Sequence, residues 1–145
     1  MATYDGLFTY ILDKSETLLA TAYSGVIDNI FQGPKVINAG FQYPAISIQW
    51  TKSSRDQGNR DGWLMFVDYI MILNNPSADM DAFYDEMEVF GDNIKAVCDD
   101  INNDDINTWG RLVEFQPGHI NNPKKGYLQW VRIQAKWWVG TSSNT

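Results

Sequence analysis

The chain has 145 residues, 44% of them hydrophobic, with a net charge of −7 and a pI near 4.5. This is one domain's worth of sequence with enough apolar material for a substantial core, which excludes a disordered segment. The acidic balance excludes a protein that holds nucleic acid or a membrane surface by bulk positive charge, and the single cysteine, Cys98, excludes an intramolecular disulfide.

The first residues, Met-Ala-Thr-Tyr-Asp, lack the basic and apolar blocks of a signal peptide, so folding is expected in the cytoplasm. Residues 4–31 then place Leu7, Phe8, Ile11, Leu12, Leu18, Leu19, Val26, Ile27 and Ile30 at spacings of three and four. Those spacings predict a helix with one buried stripe, a candidate break at Asp13-Lys14-Ser15-Glu16 and an end at Gly33-Pro34. Residues 32–42 read as a connection. Tyr43-Pro44 opens a strand, since the residue before proline is pushed to extended geometry. From 45 to 51, Ile46, Ile48 and Trp50 alternate with Ser47 and Gln49, the pattern of a half-buried strand.

Residues 52–62, KSSRDQGNRDG, read as an eleven-residue hairpin loop. Tight hairpins need two to five residues, and long loops on rigid sheets often carry function. Its Arg55, Arg60 and Asp61 are candidate partner contacts. It matches neither a phosphate loop nor a calcium loop. The stretch Trp63–Leu73 follows, apolar or aromatic except for Asp68. Turn residues bound it, and β-formers dominate it. As a strand it sends Trp63, Met65, Val67, Tyr69, Met71 and Leu73 to one face. Leu64, Phe66, Asp68, Ile70 and Ile72 go to the other. Both faces call for a cover.

A second helix is expected from Pro76 to about Asn102, capped by Ser77 or Asp79. Phe83, Met87, Phe90, Ile94, Val97 and Ile101 step by 4-3-4-3-4, one apolar seam suited to lying on a sheet. Cys98 falls within this helix as a small core residue. Residues 108–116 form a third strand, with Trp109, Arg111, Val113 and Phe115 opposite Leu112 and Glu114. A wide turn occupies residues 117–126. The fourth strand, Tyr127–Val139, has Val131, Ile133, Ala135, Trp137 and Val139 on one face, and Trp130, Arg132, Gln134, Lys136 and Trp138 on the other. The polar end, residues 140–145, is expected to be a mobile tail. The fold expected is α+β: a mainly antiparallel four-stranded sheet with two helices packed on one face, a single domain over residues 1–145.

No constellation for chemistry stands out. His119 is the only histidine, so a histidine zinc site has no second ligand, and no nucleophile-elbow motif accompanies it. Asp99-Asp100 and Asp104-Asp105 are adjacent acids that point in different directions. Catalytic, metal and cofactor sites are therefore not expected. Charge is unevenly placed: residues 76–110 hold ten acidic groups and one basic, while 111–145 hold five basic and one acidic. This partition suits self-association, with Asp85 and Glu88 of one copy facing Arg132 or Lys136 of the next. Trp130 and Trp138 flank that basic stretch as candidate interface anchors.

The order helix, strand, long polar hairpin, apolar strand, acidic helix and two strands resembles the tail-terminator, or tail-completion, proteins of long-tailed bacteriophages. The residues that carry the likeness are Tyr43-Pro44-Ala45-Ile46-Ser47-Ile48, the loop 52–62, the strand 63–73, and Asn74-Asn75-Pro76-Ser77-Ala78-Asp79-Met80-Asp81-Ala82-Phe83. The resemblance implies a non-enzymatic virion protein, assembled in the host cytoplasm. Such a protein forms a hexameric ring at the head-proximal end of the tail tube, stops tube growth and meets the head-side connector. DNA only passes through its lumen, no membrane is involved, and a monomer in solution is compatible with assembly on the tube tip. The alternatives are another neck or head–tail joining protein, or a stand-alone module that uses Trp130 and Trp138 to bind a small ligand or glycan.

Overall fold

The computed structural model describes residues 4–34, 40–55, 62–75, 80–104, 106–122 and 126–140. Strand β3 (Gly62–Asn75) is its middle strand, and all 14 of its residues pair antiparallel with β5 (Gly126–Gly140). The remaining strands are β1 (Asn29–Gln32), β2 (Ala45–Arg55) and β4 (Thr108–Asn122), in the sheet order β1-β2-β3-β5-β4. Helices α1 (Tyr4–Ala22) and α2 (Met80–Asn102) both pack on one face of the sheet.

Alternation along β3 and β5 builds that face. Met65, Val67, Tyr69 and Met71 stand beside Trp137, Ala135, Ile133 and Val131, and all eight are fully buried. Ile46 and Ile48 of β2 extend the same surface. Leu7, Phe8, Ile11 and Leu19 of α1 close it from one side, and Phe90, Ile94, Val97 and Ile101 of α2 from the other. A buried hydroxyl pair, Ser15 Oγ to Tyr69 OH at 2.8 Å, ties α1 to the middle strand. At the far end of α2, the Asn102 side chain donates to the Gly110 carbonyl at 2.9 Å and accepts its N–H at 2.8 Å. One amide thus satisfies both backbone groups of a residue on the outer strand. Gly110 has no side chain because the Trp137 ring fills that space.

The class and the helix-covered faces of β3 and β5 agree with the sequence reading. The sheet, however, is five-stranded and mixed. The helix expected over 4–31 stops at Ala22, and Gly25, at φ 78°, turns the chain. Asn29–Gln32 then forms β1, a strand parallel to β2. Ile27 and Ile30 fit a helical stripe by spacing, yet the glycine takes a left-handed conformation that ends a helix. The run 13–16 does not break α1, because Ser15 is buried against Tyr69 instead of turning out to solvent.

The long hairpin loop is shorter than expected. A bulge at Thr51 lets β2 continue through Lys52–Arg55, paired with Phe66, Met65, Leu64 and Trp63. Lys52 Nζ lies 4.9 Å from the Phe66 ring centroid and the Arg55 guanidinium 5.6 Å from that of Trp63. Cations over cross-strand aromatic rings stabilise a strand that composition alone reads as loop. Residues 56–61, the caps expected at 76–79 and the tail 141–145 lie outside the described residues.

Strand β4 runs on to Asn122, through the turn expected at Pro117-Gly118. It is the edge of the sheet, where a proline's missing N–H breaks no ladder bond on the outer side. A bulge at Val113 also reverses the facing of the strand. Trp109 and Arg111 are on one face and Phe115 on the other, where a single face was expected.

Phe90 is fully buried in the middle of the α2 seam. Phe90→Ala should lower unfolding free energy by about 3–5 kcal/mol in denaturant titration. A midpoint equal to that of the unaltered chain would contradict the packing of α2 on the sheet.

Candidate functional site

Among the described residues, no helix packs on the second face of the sheet; its β2 end is closed off, since Ala45 and Ser47 are buried and Ser47 Oγ donates to the Gly33 carbonyl at 2.9 Å. The strand registers set that face out in cross-strand rows. Ser54, Leu64, Trp138 and Trp109 form the first row, and Lys52, Phe66, Lys136 and Arg111 the second. Gln49, Asp68, Gln134 and Glu114 form the third, and Ser47, Ile70, Arg132 and Gln116 the fourth. Ala45, Ile72, Trp130 and Gly118 complete it.

Rows three and four hold a polar network. Arg132 Nη1 donates to Asp68 Oδ2 at 3.3 Å, while its Nη2 reaches Glu114 and, at 2.7 Å, Gln116 Oε1. Gln134 Nε2 donates to Asp68 Oδ1 at 3.0 Å. Asp68 is buried, and a buried carboxylate costs several kcal/mol unless paired and hydrogen-bonded. Asp68, the lone charge in the apolar stretch 63–73, has both of its partners on β5, and Arg132 carries the network on to β4.

Apolar surface lies on both sides of the network. Ile70, Ile72 and Trp130 flank one side, with the Trp130 ring filling the space above Gly118. Leu64, Phe66 and Trp138 flank the other, with the Trp138 indole against Gly62. Each of these six is half-buried. Trp109, beside Trp138, is 56% exposed.

The residues expected to form an interface fall in three places. Trp130, Arg132, Lys136 and Trp138 share the uncovered face. Asp85 and Glu88 are exposed on α2, which packs on the opposite side of the sheet. Arg55 pairs with Trp63, on the helix-facing side of β3, and Arg60 and Asp61 lie outside the described residues. Arg132, expected to meet a neighbour's acid, is held by Asp68 and Glu114 of its own chain. Lys52, Arg111 and Trp109 were missed: Lys52 read as loop, and the bulge in β4 hid the facing of the other two.

A second feature is an open groove of about 500 Å³ between α2 and β4, with Tyr84, Met87, Phe115 and the carboxylates of Glu88 and Asp92 along it. Among the described residues, no three His, Cys, Asp or Glu side chains are placed to hold a metal ion. Asp104 accepts a hydrogen bond from Tyr10 and lies 3.7 Å from Lys14, and Asp99 pairs with Lys95 at 3.0 Å. Cys98 is buried, and burial, with help from the Asp99 charge, pushes its thiol up to about 12. A thiol so placed is almost wholly protonated at neutral pH and is a poor nucleophile.

The chain matches no protein-family model and no curated protein.

Two outcomes test this geometry. Arg132→Ala leaves Asp68 without its cation, although Gln134 still donates to it. Because the Arg132 side chain is 25% exposed, the cost in a denaturant titration should be about 2 kcal/mol, below that of a fully buried pair. Native protein at neutral pH should leave Cys98 unreacted with a thiol-specific disulfide reagent, and unfolding in guanidinium should release one reactive thiol. Rapid native labelling would place Cys98 outside the core.

Proposed function

We propose that this chain is a structural virion protein that forms a ring at the head-proximal end of a phage tail tube. There it ends tube polymerisation and joins the tail to the head-side connector. The observation that carries the reading is the uncovered sheet face. Half-exposed Phe66, Ile70, Ile72, Trp130 and Trp138, set around a fixed polar centre, make a surface suited to a protein partner. The resemblance on which the reading rests is drawn from the order helix, strand, strand, helix, strand, strand, which α1, β2, β3, α2, β4 and β5 follow, with β1 in addition. The net charge of −7 suits a channel through which DNA slides without adhering.

A binding module for a small ligand or glycan fits less well. Trp130 and Trp138 are eight residues apart in one strand, about 27 Å. One small molecule does not reach both. Another neck protein of similar fold differs only in its partners, and the same assay separates it. Purified chain added to tail tubes growing in vitro should stop them at a set length, with one ring of density at a single tip in electron micrographs. Tubes that grow on with bare tips would overturn the proposal.

A further inference from the structure

We infer that the uncovered sheet face of one copy receives the outer face of α2 of the next, in a head-to-tail contact. Two rows of charge carry the inference. On the sheet, Lys52, Lys136 and Arg111 stand in one cross-strand row, with Phe66 between the two lysines. Among the described residues no carboxylate pairs with any of the three. The row crosses three strand spacings, about 14 Å.

On α2, Asp81, Asp85, Glu88 and Asp92 step by 4-3-4 and are all exposed. That spacing lines them along one face, over about 16 Å of helix. Among the described residues no cation pairs with them either, since Lys95 is taken by Asp99. A line of four carboxylates thus matches a line of three cations in sign and length. Trp109 and Trp138 sit one row away on the sheet, and Tyr84 and Phe115 border the groove beside Glu88 and Asp92. Each charged row therefore has exposed aromatic surface next to it.

The two rows lie on opposite sides of the sheet. A two-fold dimer pairs one patch with its own copy, so it does not bring these two together without a second, different contact. A head-to-tail contact does, and it repeats from copy to copy until a ring closes or a filament grows. The occupant is a second copy and not a polyanion such as nucleic acid, because the chain supplies the complementary row itself and its net charge repels polyanions. The contact deepens the ring reading, but the tube plays no part in its test.

The experiment uses full-length chain in sedimentation velocity at low and at high salt. The unaltered chain should self-associate at low salt and dissociate at high salt. Lys52→Glu/Lys136→Glu and, separately, Asp85→Lys/Glu88→Lys should each weaken association at least about tenfold; the helix pair should keep the original melting temperature, and the sheet pair should stay folded with a small decrease from loss of the Lys52 contact with the Phe66 ring. Mixing the two reversed variants one to one should restore association, because each then offers the row the other lacks. If a reversal impairs folding, Lys52→Gln/Lys136→Gln and Asp85→Asn/Glu88→Gln should give the same weakening without rescue on mixing. A chain monomeric at every salt concentration, association untouched by the substitutions, or reversed variants that do not rescue each other would overturn the contact. So would a monomeric chain whose Lys52 and Lys136 instead bind a single-stranded oligonucleotide. Rescue on mixing together with tubes that ignore the protein would keep the contact and remove the tail role.

Discussion

The full-length antiparallel pairing of β3 with β5 is the constraint on which the other elements depend. A strand alternates its side chains, so the register of this one pair decides both faces of the sheet at once. In the observed register Met65, Val67, Tyr69 and Met71 meet Trp137, Ala135, Ile133 and Val131, and the helices have a dry surface to close. A slip of β5 by one residue would turn Arg132 into that surface, send Trp137 out of it and part Arg132 from Asp68. A desolvated guanidinium, an Asp68 without its cation and a lost tryptophan would cost far more than any ladder bond gained. The polar network on the second face thus acts as a lock on the register. A buried ion pair adds little net stability over apolar residues of the same shape, but it discriminates strongly against arrangements that separate its partners.

The same network shapes the uncovered face. It holds Arg132 within the chain, so the charge left for other molecules comes from Lys52, Lys136 and Arg111. Fixed polar groups at the centre with aromatic residues at both ends give a surface whose geometry is set before any partner arrives. Such preorganisation lowers the entropic cost of docking. The acidic helix on the far side of the sheet gives the molecule two unlike faces, as the head-to-tail contact proposed above requires.

Much of this was legible in the sequence, for a physical reason. Long β-strands buried on one face and long amphipathic helices have periods that few other structures share, so the faces of β3, β5 and α2 could be assigned by counting. What escaped were features that break a period locally. The bulges at Thr51 and Val113 shift alternation by one, which hid the strand character of Lys52 and the facing of Trp109 and Arg111. Strand β1 is four residues long, too short to show alternation against a helical background. Asp68 stood out in the sequence only as the exception in an apolar stretch; its partner, 64 residues away in the chain, is fixed by register, which sequence order does not give. Charge partition suggested self-association, but the row of Lys52, Lys136 and Arg111 appears only when strands β2 to β5 are laid side by side.

The central claim is that the second sheet face is a surface built to be covered. Hydroxyl-radical footprinting read by mass spectrometry tests it directly, on dilute chain at high salt and concentrated chain at low salt. Trp109 and Trp138 should be oxidised readily in the first condition and protected in the second, while Trp137, fully buried, stays unreactive in both. Equal oxidation of Trp109 and Trp138 in the two conditions, in a sample shown to have associated, would mean that the chain assembles through another surface.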